Sequence, residues 1–204
     1  LGLPLKTPVA TAKEQHVPVT SLDPRTALLV IDLQNGTAGN PTVHPMSGVI
    51  DNAARLARAF RAHGLPVVLV TFDMNNSTPG RSELIRGSIA VPDDYTELVP
   101  ELDRQPSDLL VTKRTWGCFA GTPLDGLLKE RGVTQVVIAG VATSFGVEST
   151  ARQAYDAGYN VTLAIDAMTD LRAESHEHSA TRVFPVLGET GSTADILALL
   201  DAIG

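Results

Sequence analysis

The chain has 204 residues, 43% of them hydrophobic and 19% charged, which suits one globular domain and excludes a disordered chain. Sixteen basic against 23 acidic residues leave a net charge of −7. That balance argues against a general nucleic-acid binder, whose affinity comes from neutralising phosphates.

Residues 1–25 read as an extended arm, because Pro4, Pro8, Pro18 and Pro24 remove backbone donors and oppose helix. Such an arm packs on its own domain or on a neighbouring subunit. Leu1 to His16 carries prolines and charges where a signal peptide needs an unbroken apolar core. Nowhere do about 18 apolar residues run together, so no membrane-spanning helix is expected.

From Thr26 to the end, expected as the single domain 26–204, apolar runs alternate with helix-period segments. Ala27-Leu28-Leu29-Val30-Ile31 is a continuous run ending at Asp32. Val49, Ala53, Leu56 and Phe60 then mark one face of a helix, stopped by Gly64. Val67-Val68-Leu69-Val70 ends near Asp73, and Leu109-Leu110-Val111 ends at Lys113. Thr122-Pro123 predicts a helix start, with Leu124, Leu127 and Leu128 inward and Gly132 at its end. Val136-Val137-Ile138-Ala139 ends at Gly140. Val147, Ala151, Ala154 and Tyr155 form another helical stripe before Gly158, and Val161-Thr162-Leu163-Ala164-Ile165 ends at Asp166. A last helix spans 194–203 with Ile196, Leu197 and Leu200 inward. Strands apolar on both faces, alternating with helices, predict an open, doubly wound parallel sheet.

In such sheets ligands bind beyond the carboxyl ends of the strands, where the strand order reverses. Asp32 and Lys113 stand at two such ends. A carboxylate and an ammonium sharing a pocket suit general acid–base chemistry. Taken singly, each has a plainer reading: Asp32 as a turn cap and Lys113 as a solvated side chain. Lys113 gains weight as one of only four lysines, placed directly after a buried run. Asp73 and Asp166 read as structural. The turn from Gly140 to Gly146 links a strand to a helix, so its N–H groups suit an oxyanion or carboxylate, or it is a helix start capped by Thr143 or Ser144. His176 and His178, two apart, read as solvated or capping rather than metal-binding. The lone Cys118 excludes a disulfide framework, fits a reducing, cytoplasmic compartment, and reads as a small packing residue beside Trp116 and Phe119. Neither GxGxxG nor a Walker sequence occurs.

Taken together, three ordered blocks resemble the isochorismatase-like hydrolases. They are Leu29-Val30-Ile31-Asp32-Leu33-Gln34-Asn35, the block from Lys113-Arg114-Thr115-Trp116 to Pro123-Leu124, and Gly140-Val141-Ala142-Thr143-Ser144-Phe145-Gly146-Val147-Glu148. The trailing Gly158-Tyr159 through Asp166-Ala167-Met168 is similar too. The resemblance implies a three-layer αβα, Rossmann-like α/β fold whose six-stranded parallel sheet has the order 321456. It implies Asp32 and Lys113 as catalytic residues, and a cis peptide between Val141 and Ala142 that turns backbone donors toward the substrate. Gln34, Val141, Ala142, Phe145 and Trp116 would line the substrate site, with Arg81, Arg86 and Arg114 as candidates for holding carboxylates.

One departure bears on mechanism. The amidase-type members carry a nucleophilic cysteine, and Gly146 matches its position as the third catalytic residue. Asp73-Met74-Asn75 stands where nicotinamidases have a zinc-binding Asp-x-His, so no metal and no cofactor are expected. Glycine also matches the true isochorismatases, which hydrolyse a vinyl ether without a covalent nucleophile, although their tyrosine-alanine-histidine run is missing here. The expected function is therefore hydrolysis of a small, anionic substrate, isochorismate or a related vinyl ether, by Asp32 and Lys113. The alternative is an amidase-type member that lost its cysteine, by descent or by mutation, and acts as a binding protein or pseudoenzyme. Neither nucleic acid nor membrane is expected as a partner, and self-association as a dimer or tetramer is.

Overall fold

Every residue of Thr26–Ile31 (β1) is buried, so this strand must be covered on both faces. The pleat divides it between two cores: Leu28 and Val30 face one, Ala27, Leu29 and Ile31 the other. A computed structural model describes residues 19–77, 81 and 91–203. After β1 come a short helical turn, Asn35–Ala38 (α1), then Met46–Ala62 (α2), Val67–Phe72 (β2), Leu109–Lys113 (β3), Leu124–Glu130 (α3) and Gln135–Val141 (β4). Glu148–Asp156 (α4), Asn160–Thr169 (β5), Ala173–His178 (α5), Phe184–Leu187 (α6), Glu189–Gly191 (β6) and Thr193–Ile203 (α7) complete the order. The strands form one six-stranded, all-parallel sheet in the order β3-β2-β1-β4-β5-β6, the expected 321456.

Helices α2 and α7 cover the first face through Val49, Ala53, Leu56, Phe60, Ile196 and Leu200. On the opposite face α3, α4 and α6 contribute Leu124, Leu128, Ala151, Ala154 and Phe184. This is the three-layer αβα arrangement. The sheet reverses direction of growth between β1 and β4, so their carboxyl ends frame the crevice. There the two strands come unusually close. Gly140 has φ +113°, and a Cβ built on it would lie 2.1 Å from the Ile31 carbonyl oxygen, so only glycine fits.

Several local expectations need correction. Tyr155 is 53% exposed, because the inward face of α4 runs through Thr150, Ala151 and Ala154. Strand β5 does not stop at Asp166: a bulge after Leu163 absorbs the polar residue and lets pairing resume at Met168. Asp166 instead accepts hydrogen bonds from Thr193 N (2.6 Å) and Oγ1 (2.8 Å) at the start of α7. Helix α3 begins at Leu124, one residue later than expected, with Thr122 Oγ1 accepting from Leu124 N at 3.3 Å. Strand β6, at only three residues, carries no apolar run to announce it.

The part of the arm that is described, from Val19, packs on its own domain. Val19 N donates to Thr190 O (2.8 Å) and Asp23 N to Gln135 Oε1 (2.7 Å). Pro4, Pro8 and Pro18 lie outside the described residues. Among the described residues no helix is long and apolar enough to cross a membrane.

Candidate active site

Asp32 follows β1 directly, and its backbone takes the left-handed conformation at φ 52°, a region aspartate tolerates better than most residues. Its N–H extends the ladder to Val70 O at 2.9 Å, while its carbonyl accepts from the Thr37 hydroxyl. This turn lifts the side chain off the strand end and over the sheet edge. Lys113 ends β3, two strands away. At about 4.8 Å per strand the backbones stand roughly 10 Å apart, so only a long side chain can bridge them. Lysine does so by crossing above Phe72, its partner in register on β2, with Nζ 5.6 Å from the Phe72 ring.

The two groups meet. Lys113 Nζ lies 2.7 Å from Asp32 Oδ2, with the lysine side chain 1% exposed and the carboxylate 10%. Lys113 also donates to the Trp116 carbonyl at 2.5 Å. The second carboxylate oxygen, Asp32 Oδ1, is buried and has no hydrogen-bond partner among the described residues. Burial outweighs the nearby ammonium and pushes the Asp32 carboxyl up from 3.8 to about 6. A half-satisfied carboxyl with that affinity for protons can deliver one near neutral pH.

The turn after β4 forms the next wall. The Val141–Ala142 peptide is cis, as the resemblance implied. Residues Thr143–Val147 make one π turn leading into α4. Neither Thr143 nor Ser144 caps the helix with its side chain. Instead Phe145 N and Val147 N both donate to Ala142 O, at 3.0 and 3.2 Å, and Ser144 N donates to Asp170 Oδ2 at 2.7 Å. Gly146 rests against the ion pair. A Cβ built there would lie 3.0 Å from Asp32 Oδ2 and 3.1 Å from Lys113 Nζ. A third wall is aromatic. Trp116, 52% exposed, packs on Phe145 with ring centroids 4.9 Å apart and lies nearly parallel to Phe72 at 6.5 Å.

Asp32, Lys113, Gly146, Phe145 and Trp116 thus converge, and Val141 and Ala142 lead into their turn. Other expected residues do not join them. Gln34 is fully buried, and its amide is spent on backbone: Nε2 donates to Phe72 O (3.0 Å) and Tyr95 O (2.8 Å), and Oε1 accepts from Phe72 N (2.7 Å). It ties the end of β2 to the segment around Tyr95 instead of facing a substrate. Arg114 is 66% exposed, 3.7 Å from Asp73. Arg81 is exposed, and Arg86 lies outside the described residues. Cys118 is buried in the core of the α3–α4 face, and burial pushes its thiol up to about 12, which fits a packing role.

Besides Asp170, two residues were missed in the sequence. The Tyr95 ring packs against Gly36, where a Cβ would come within 2.2 Å of it. Burial and the Asp32 charge both raise its phenol above the usual range. His176, expected to be solvated or capping, is buried, with Nδ1 2.9 Å from the Thr143 hydroxyl. Nothing local in Ser175-His176-Glu177-His178 points to a partner 33 positions earlier. Asp73 bonds Asn76, and among the described residues no group of three or more His, Cys, Asp or Glu could hold a metal ion.

These features define an α/β protein with a buried carboxylate–ammonium pair at the switch point of its sheet. The chain belongs to the isochorismatase family of hydrolases: residues 26–195 match the model of the isochorismatase domain. The uncharacterised isochorismatase family protein YwoC of Bacillus subtilis is 38% identical over 178 residues, covering 85% of this chain and 93% of the relative. A ureidoacrylate amidohydrolase, RutB of Methylobacterium radiotolerans, is 29% identical, covering 90% of this chain and 82% of its own. An isochorismatase family protein from Burkholderia thailandensis superposes with a TM-score of 0.85 at 37% identity, over 91% of this chain and 99% of that one.

Proposed function

We propose that the chain hydrolyses a small, anionic substrate by acid catalysis, with Asp32 as proton donor, Lys113 as its ion-pair partner and no covalent thiol. The observation that carries this reading is the Asp32 carboxyl, buried, bonded at one oxygen only among the described residues, and pushed up by burial to about 6. Gly146, in the place of the amidase-type cysteine, offers no nucleophile. Cys118 stays protonated in the core at neutral pH.

A vinyl ether suits these groups best, with isochorismate as the sharpest candidate. Asp32 gives its proton to the terminal enol-ether carbon, leaving an oxocarbenium ion. Water adds to that ion and returns a proton to the Asp32 carboxylate. The hemiketal then collapses, breaking its C–O bond to release the ring alcohol and a ketone, pyruvate in this case. The Phe72–Trp116–Phe145 wall supports a flat, unsaturated ring beside the acid. Incubation with isochorismate should release pyruvate, and Asp32→Ala should abolish the release. No release, or release unchanged in the variant, rejects the reading.

A second reading is favoured by the similarity to RutB and by the place of Gly146 directly beside Asp32 and Lys113. In it the chain is an amidase-type site without its nucleophile and acts as a binding protein. Gly146→Cys separates the two. Amidase activity gained on a ureidoacrylate-type amide supports the second reading, whereas damage to native hydrolysis makes the small size of glycine part of the mechanism. We further propose a cytoplasmic, self-associating protein; light scattering on the purified chain would test the association, and cell fractionation the compartment.

A further inference from the structure

The turn Thr143–Val147 brings Phe145 and Gly146 to the site, but two of its residues are gripped from other elements. We propose that Asp170 and His176 are positioning residues for this turn. Asp170 is 1% exposed, and its carboxylate is spent on backbone donors: Oδ2 on Ser144 N at 2.7 Å, Oδ1 on Leu171 N at 2.8 Å and Arg172 N at 3.3 Å. A buried carboxylate needs such partners, so the loop after β5 and the turn after β4 are tied through one side chain. Beside it, His176 on α5 holds the fully buried Thr143 hydroxyl at 2.9 Å. The His44 ring packs edge-on against His176 at 4.7 Å and is itself held by Thr169 Oγ1 at 3.2 Å.

Two consecutive residues fixed by two different elements leave the turn little freedom to rotate. That matters because a π turn is a rare departure from the α-helical ladder, and two residues of this one are bonded from outside it. Rotation would carry Gly146 away from Asp32 and Lys113 and Phe145 away from Trp116. Asp170 and His176 therefore act through the turn and not on the substrate. The proposal rests on the turn being one wall of the active site, yet its test needs no substrate.

Trp116 is the only tryptophan in the chain, so its emission reports its packing against Phe145. Gly146→Cys supplies a second reporter, since the buried Cys118 thiol, pushed up to about 12, stays silent to iodoacetamide. Into that background go Asp170→Asn, His176→Phe and His176→Asn, the last keeping a polar atom near Nδ1. Asp170→Asn and His176→Phe should shift the apparent pKa of alkylation by about one unit, roughly tenfold in thiolate at fixed pH, and alter Trp116 emission. His176→Asn should restore most of both signals. Should Asp170→Asn fail to fold, the His176 pair decides. Folded variants that lose only thermal stability, with the alkylation profile and emission of the parent, overturn the proposal. A negative result with isochorismate leaves these readouts untouched, so the two failures are distinguishable.

Discussion

Two ion pairs, each with a buried carboxylate, sit at opposite ends of the sheet, and their N···O distances are the same, 2.7 Å. Arg61 and Asp108, below the amino ends of the strands, saturate one another. Arg61 Nε and a terminal nitrogen engage both carboxylate oxygens, Arg61 also donates to Leu102 O, and Asp108 also accepts from Gln105 N. Lys113 and Asp32, at the carboxyl ends, leave one carboxylate oxygen without a partner among the described residues, and burial pushes the carboxyl up to about 6. The difference is in bonding capacity. A planar guanidinium matches both oxygens of a carboxylate at once, while an ammonium reaches one and leaves the other available. The first pair is built to hold; the second can give up a proton.

The contrast can be broken from either end. Asp32→Asn should lower turnover by about 100-fold or more, the scale of a lost general acid, with little change in the far pair; steady-state assays on the substrate identified by pyruvate release check it. Arg61→Leu should do the reverse. Removing one partner of a buried pair costs about 3–5 kcal/mol, read in a denaturant titration, while the folded fraction keeps its kcat.

A pH profile sharpens the comparison further. If protonated Asp32 is the working form, kcat/KM should fall as pH rises through about 6, approaching tenfold per unit above it. Amidase activity gained in Gly146→Cys, which would need the carboxylate, should rise through the same range. Stability carries a smaller signal of matching sign. The folded carboxyl holds its proton more tightly than the unfolded one, so stability should decline as pH rises from about 4 to about 6 and then level, as read by thermal melts. Last, Trp116→Ala should raise KM more than it lowers kcat, because the ring packs beside the reacting groups rather than on them.

Much of the fold was legible because a doubly wound sheet writes itself in simple signals. Strands buried on both faces read as unbroken apolar runs, and β1, β2 and β4 did. Strand β6 did not, since Glu189-Thr190-Gly191 is polar and short and pairs at the edge. Strand β5 was cut at Asp166 because a bulge has no sequence period. In the site, Asp32 and Lys113 were legible as charges placed where apolar runs end. Gln34 misled because a polar residue beside an acid looks like a ligand contact, whereas its amide serves the backbone. His176 and Asp170 stayed hidden for the opposite reason. Their partners, Thr143 and Ser144, are brought near only by folding.

Where β1 meets β4, backbone touches backbone, with room for a hydrogen atom and nothing more at Gly140. The floor of the crevice is thus a fixed gauge, set by main chain and indifferent to which side chains rise around it. Side chains on the walls can be exchanged while the spacing beneath them keeps its measure.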